Sequence, residues 1–127
     1  MKHETREWVE KAEADYATCL REWEVRKNPN YDAVCFHAQQ FVEKYLKARL
    51  VEAGVIPPKT HDLEILLKLC FPLEPLWQPF MDGFKELSVY SVLFRYPGEK
   101  ATRSEAKIAA EYCKKVRKTL RQGLRLK

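Results

Sequence analysis

Apolar residues recur at steps of three and four along five segments of the chain, the spacing that collects them on one face of an α-helix. The longest pattern runs from Tyr31 to about Ala53 and predicts a helix at the centre of the fold. A first helix is predicted over residues 4–26, before Pro29 breaks the pattern. Gly54 is predicted to end the second helix in a left-handed backbone conformation. The apolar stripe of the second helix comprises Tyr31, Val34, Cys35, Ala38, Phe41, Val42, Tyr45, Leu46 and Leu50.

Three more helices are predicted in the second half of the chain. A short one covers residues 63–70, with Thr60 or Asp62 as its cap. A longer one carries apolar residues at helical spacing from about residue 80 to residue 94. The last begins at Thr102 with a capping box, in which the threonine and a glutamate three residues later satisfy free backbone amides.

No segment alternates between apolar and polar residues with a period of two, so no sheet is predicted. The predicted fold is all-α: an antiparallel up-and-down bundle of four long helices plus one short helix. A length of 127 residues fits one domain, covering residues 1–127. Five amphipathic helices joined by short connections can bury a core of their own.

The composition is that of a folded helical protein, with 46% apolar and 32% charged residues. No apolar run approaches the roughly 20 residues that span a bilayer, and the first residues lack the apolar core of a signal peptide. We therefore predict a cytoplasmic protein that has no contact with a membrane.

Four cysteines are scattered without a CxxC pair, and three of them fall on predicted apolar stripes. We interpret Cys19, Cys35, Cys70 and Cys113 as reduced core thiols; zinc ligands or disulfides are the alternative. The sequence has no glycine-rich phosphate loop, nucleophile elbow or metal-spaced histidine cluster. No metal and no cofactor are predicted.

The positive charge is concentrated at the end of the sequence. Residues 101–127 hold nine Lys or Arg and two Glu, a net charge of +7, against +5 for the whole chain. Such a helix can attract RNA phosphates or an acidic protein partner. An ordinary solvated helix face is the equally simple alternative.

Four short motifs follow one another along the chain. The first helix carries Trp8, Lys11-Ala12-Glu13 and Asp15, and the second carries Ala33-Val34-Cys35-Phe36-His37-Ala38-Gln39-Gln40, then Glu43-Lys44 and Leu46-Lys47. The third carries Thr60-His61-Asp62-Leu63 with Leu66-Leu67, and Arg95-Tyr96-Pro97 precedes the last helix. Together, in this order, the four motifs resemble the HEPN family of helical-bundle proteins, in which Arg95-Tyr96-Pro97 is similar to the turn before the final helix.

The resemblance implies a bundle that dimerises and is commonly encoded beside a small nucleotidyltransferase in prokaryotic toxin–antitoxin or defence systems. Active members of the family are metal-independent RNases, in which an arginine is followed after four to six residues by a histidine. After Arg95 those positions hold Lys100, Ala101 or Thr102, and none is a histidine. The chain resembles instead the branch ending in Arg-Tyr-Pro, for which nucleotide or partner binding is proposed.

Candidate binding residues lie on the second helix and at the end of the fourth. His37, Gln40, Lys44 and Lys47 share one polar stripe, which could line a cleft for a phosphate-bearing ligand. The alternative is ordinary surface polarity, with Glu43 and Lys47 as an ion pair four residues apart.

Arg95 could reach a phosphate and Tyr96 could stack on a base. Alternatively, Arg95 binds helix C-terminal carbonyls or a carboxylate such as Glu43 or Asp15. His61 could act as an acid or base, although its position beside Asp62 also fits a role at the helix cap.

The leading hypothesis is a homodimeric protein, non-catalytic or only conditionally active, that binds a nucleotide, an RNA or a cognate nucleotidyltransferase. The first alternative is a metal-independent RNase with a non-standard centre, in which Arg95 holds the phosphate and His37 or His61 transfers the proton. A third possibility is a purely structural module that presents a helix face to another protein.

Overall fold

The computed structural model describes residues 1–127 and contains five α-helices and no strand. The predicted all-helical fold with five helices is therefore confirmed. The α-helices are α1 (His3–Glu24), α2 (Tyr31–Glu52), α3 (Leu63–Cys70), α4 (Met81–Ser88) and α5 (Arg103–Gly123). Three 3₁₀ segments accompany α4: Pro75–Phe80 precedes it, and Val89–Ser91 and Leu93–Arg95 follow it.

Local hydrogen bonds explain where the helices begin and end. At the start of α5 the Thr102 hydroxyl accepts from the Glu105 amide at 3.0 Å, and the Glu105 carboxylate accepts from the Thr102 amide at 2.9 Å. Asp62, rather than Thr60, caps α3 by accepting from the backbone amide two residues later. Gly54 has a φ of +81°, the left-handed conformation predicted after α2.

Helix α2 forms the centre of the bundle, as predicted. Thirteen of its 22 residues are buried, and Phe41 and Leu46 are completely shielded from solvent. α1 lies antiparallel to α2: Lys2 is hydrogen-bonded to Glu52 at one end, and Asp15 to His37 towards the other.

Helices α5 and α3 run parallel to α2. The Cys113 thiol of α5 donates to the Ala38 carbonyl, and further along both helices Arg121 donates to the Tyr45 hydroxyl. The α3 pairing follows the same order, from Gln39 donating to the His61 carbonyl to the Cys70 thiol donating to the Leu46 carbonyl.

Two details of the arrangement differ from the prediction. The bundle has three long helices, because α4 is only eight residues long and continues at both ends as 3₁₀ turns. Pro79 lies within the first of these turns and cannot donate to a regular helical ladder. The order is also not strictly up and down, because residues 53–62 return along α2 and start α3 in the same direction.

All four cysteines are free thiols buried in the core, including the three that lie on the predicted apolar stripes. Burial raises the pKa of both Cys35 and Cys70 to about 12. No helix of the structure combines the length and the apolar character needed to cross a lipid bilayer.

Candidate functional site

A buried carboxylate on α1 contacts two residues of the predicted polar stripe of α2. Asp15 is 8% exposed; its two oxygens lie 2.7 Å from His37 Nδ1 and 2.5 Å from Lys44 Nζ. Burial opposes the ionisation of Asp15, but the hydrogen bonds from His37 and Lys44 outweigh it and lower the pKa of the carboxyl below its usual value. Asp15 therefore remains a carboxylate and holds both side chains in place.

A second buried carboxylate, Glu43 of α2, holds the other two stripe residues. Glu43 is only 3% exposed; its oxygens accept from Lys47 Nζ at 3.0 Å and from Gln40 Nε2 at 3.4 Å. Its Oε1 also lies 2.8 Å from His61 Nδ1 and accepts from Gln39 Nε2 at 3.2 Å. The expected Glu43–Lys47 ion pair is present, but it is buried rather than on the surface.

A cleft of about 400 Å³ opens between the start of α2 and the 3₁₀ turns that follow α4. The guanidinium carbon of Arg95 lies 5.9 Å from the centroid of the Phe36 ring, and the edge of that ring meets His37 at a centroid distance of 5.3 Å. Tyr90 and Phe94 stack on one another along the same wall, with centroids 5.3 Å apart. We call this the Arg95 cleft; its lining residues are Asn30, Asp32, Ala33, Phe36, His37, Tyr90, Phe94 and Arg95.

The chemistry of the Arg95 cleft suits a phosphate attached to a flat ring. The Arg95 guanidinium is exposed and forms no ion pair within the chain, so its donors are free for an anion. Aromatic rings beside a cation provide surfaces on which a base can stack. His37 uses Nδ1 for Asp15, which leaves Nε2 available to a ligand.

The structure brings some of the predicted residues together and separates others. His37 and Arg95 line the same cleft, and Tyr96, which is 64% exposed, follows Arg95 in the chain. His61 lines a different depression beside Lys85 and does not meet Arg95 within one copy of the chain. Gln40, Lys44 and Lys47 lie further along α2 and face the two buried carboxylates.

Arg95 binds neither Asp15 nor Glu43, the two carboxylates considered for it, because other side chains occupy both. It stacks on Phe36 instead. His61 does not cap α3, since Asp62 does so and the His61 ring contacts Glu43.

Sequence reasoning missed the aromatic wall formed by Phe36, Tyr90 and Phe94. The only signal in the sequence is the four-residue step from Tyr90 to Phe94 close to Arg95, which helical periodicity does not distinguish from a core stripe. No group of three or more histidine, cysteine or carboxylate side chains is placed to hold a metal ion.

Three comparisons with known proteins bear on this geometry. The family model of the HEPN domain matches residues 5–123. The crystal structure of TT1696 from Thermus thermophilus is similar to this chain, with a TM-score of 0.79 and 21% sequence identity, over 96% of this chain and 99% of that one. No curated protein matches the sequence. At that identity, the likeness to TT1696 concerns the fold alone.

Proposed function

The chain belongs to the HEPN domain family, and from that premise we propose that it acts by binding a nucleotide or an RNA in the Arg95 cleft. The observation that carries the proposal is the exposed Arg95 guanidinium, which lies over Phe36, shares a cleft with His37 and has no internal carboxylate partner. A phosphate would bind the guanidinium, and the attached base would stack on the aromatic wall. In this proposal the protein works within a prokaryotic toxin–antitoxin or defence module.

Binding without cleavage is the form of this proposal that the sequence favours. The positions four to six residues after Arg95 hold no histidine, so the family's RNase motif is incomplete. An arginine can hold a phosphate without this histidine, but RNA cleavage also needs a titratable group that transfers a proton at the reacting oxygen.

We propose further that the protein is a homodimer, with a cognate nucleotidyltransferase as its protein partner. Exposed apolar residues of the turns that carry Arg95 support a contact surface there: Val89, Val92 and Tyr96 are 52%, 47% and 64% exposed. The two valines line the depression beside His61, on the neighbouring side of the same turns. Two copies joined through this surface would bring their Arg95 clefts together. Light scattering should then give about 30 kDa, twice the 15.0 kDa of one chain. Val92→Glu should reduce this mass to that of one chain, whereas Ile56→Glu, at a residue 91% exposed elsewhere, should not.

Thermal unfolding with ATP or a short RNA tests the binding proposal. A ligand that binds only the folded state adds about 2.7 kcal/mol when its concentration is 100 times Kd, which raises Tm. Arg95→Ala should abolish the rise, and Arg6→Ala should not, because Arg6 is an exposed arginine of α1 outside the cleft. If neither ligand shifts the wild-type protein, the chain is better explained as a structural module. Co-purification would then ask whether a nucleotidyltransferase accompanies it.

A metal-independent RNase is the second candidate, because His37 and Arg95 both contact the ring of Phe36 in one cleft. Here Arg95 would hold the phosphate, and His37, oriented by Asp15 through Nδ1, would exchange a proton at Nε2. Purified protein would have to cleave RNA in the presence of a chelator, and both Arg95→Ala and His37→Ala would have to lose that activity. Loss in only one variant would contradict a paired centre.

A further inference from the structure

A second polar cleft, of about 400 Å³, lies between α1 and the C-terminal half of α5. Five of its eight lining residues are Lys or Arg, and none is Asp or Glu. We call it the basic cleft; its cations are Lys114, Arg117, Lys118, Arg121 and Lys127. It shares no residue with the Arg95 cleft.

The two arginines of the basic cleft are held in position by a carboxylate behind them. Glu13 of α1 accepts from Arg117 at 2.8 and 3.0 Å and from Arg121 at 3.3 Å, and the Tyr45 hydroxyl also donates to it. The Arg117 guanidinium lies over the ring of Tyr16, 4.9 Å from its centroid. Such preorganisation reduces the entropy lost when an anion binds.

The charge of the basic cleft is not balanced within the chain. Glu13 compensates one of the two arginines, and Lys114, Lys118 and Lys127 form no ion pair. About four positive charges therefore remain in a small concave space, and the Nη1 atom of Arg117 makes no hydrogen bond. Such an excess strongly raises the local concentration of anions.

The spacing of these cations suits a chain of phosphates. Lys114 and Lys118 are four residues apart on α5, which corresponds to a rise of about 6 Å along the helix. Arg117 and Arg121 repeat that spacing on the part of α5 that contacts Glu13 of α1. Two parallel rows of cations follow the length of the cleft, whereas a single isolated anion needs only one cluster. A flexible single strand can follow such a groove with its backbone.

We propose that the basic cleft binds the phosphodiester backbone of a single-stranded nucleic acid, separately from the Arg95 cleft. Arg117 binds a phosphate oxygen through Nη1, which makes no hydrogen bond within the chain, and the exposed lysines act as point charges at the rim. Arg121 adds its positive charge, while its donors are held by Glu13, the Tyr45 hydroxyl and the Lys127 carbonyl. The contacts are to the backbone, so binding does not depend on base sequence and weakens steeply with salt.

Fluorescence anisotropy with a labelled oligouridylate of about 12 nucleotides, a typical site size, tests the proposal. About four phosphate contacts predict a slope of about −2.8 for log K against log salt concentration. Lys114→Ala/Lys118→Ala should reduce the slope to about −1.4 and the affinity at about 50 mM salt roughly 60-fold. Lys107→Ala/Lys115→Ala is the matched control, since it removes two exposed lysines of α5 that do not line the cleft; it should change neither quantity.

Comparison of the oligouridylate with an oligodeoxyuridylate of the same length shows whether the cleft prefers RNA or DNA. Tighter binding of the RNA assigns RNA and tighter binding of the DNA assigns DNA, and equal binding assigns the backbone alone; each supports the proposal. An equal effect of the two lysine pairs would overturn it, because binding would then follow net charge. Displacement of the strand by polyglutamate at equal charge concentration would also overturn it and assign an acidic polypeptide.

Arg95→Ala separates this proposal from the proposed function. We expect the variant to retain the salt slope of the wild-type protein. Loss of oligonucleotide binding in Arg95→Ala but not in the Lys114/Lys118 variant would place the strand in the Arg95 cleft and refute the basic cleft. Absence of any binding at about 50 mM salt in the wild-type protein would refute it as well, without deciding whether a nucleotide binds beside Arg95.

Discussion

Removal of the Glu43 carboxylate is the most direct test of the polar interior of the bundle. Glu43→Ala leaves Lys47, which is 7% exposed, without its ion-pair partner beneath the ring of Trp8. The side-chain amides of Gln39 and Gln40 and the ring of His61 also lose an acceptor. The variant therefore creates an uncompensated buried charge together with unsatisfied donors.

The expected loss follows from that burial. Breaking a buried ion pair by removing one partner costs about 3–5 kcal/mol, which is a large part of the roughly 5–15 kcal/mol that stabilises a domain. With a typical dependence on urea of about 2 kcal/mol per molar, the midpoint of unfolding should fall by about 1.5–2.5 M.

Circular dichroism during urea unfolding measures this change. Glu43→Leu/Lys47→Met, which removes both charges at similar volume, should recover stability to within about 1 kcal/mol of the wild-type protein. Glu64→Ala is a matched control: it removes a glutamate that pairs with the lysine four residues later and with Lys85, but on the surface, so the midpoint should hardly move. A loss below about 1 kcal/mol for Glu43→Ala would refute the reasoning, because it is typical of an exposed pair.

Three more variants test other parts of the structure. Gly83→Ala should cost about 1–3 kcal/mol in urea unfolding, because the new Cβ would lie 2.3 Å from the Tyr112 hydroxyl; Tyr112→Leu should relieve it. Phe41→Ala, at a fully buried ring, should cost about 3–5 kcal/mol in the same assay. The lowered pKa of Asp15 means that its carboxylate stabilises the fold above about pH 4 and loses this effect as the pH falls through the lowered value. The difference in midpoint between the wild-type protein and Asp15→Asn should therefore shrink in acid, and a constant difference would contradict this assignment.

The sequence predicted best what depends on neighbouring residues. The capping box at Thr102, the Asp62 cap and the left-handed Gly54 are local arrangements of a few residues, and each is found in the structure. The central position of α2 was also predictable, because its apolar stripe is too broad to be covered by a single neighbouring helix.

The remaining features depend on contacts between distant residues. Glu43 and Lys47 look like an exposed pair in the sequence, and they are buried only because α1 and the segment around His61 cover them. The parallel course of α2 and α3 depends on the path of residues 53–62, where the local signals show only a turn. The Arg95 cleft likewise joins segments about 60 residues apart, so helical periodicity could not predict its aromatic wall.

The reactivity of the buried cysteines can be used to measure local opening of the helix bundle. Because the thiols of Cys35 and Cys70 are enclosed and carry a pKa of about 12, an alkylating reagent at neutral pH should reach them only in molecules that have opened locally. Alkylation of Cys70 would follow the release of α3 from α2, and alkylation of Cys113 the release of α5. The order in which Cys70 and Cys113 react would rank α3 and α5 by the free energy needed to detach each helix, with the native cysteines as the only probes.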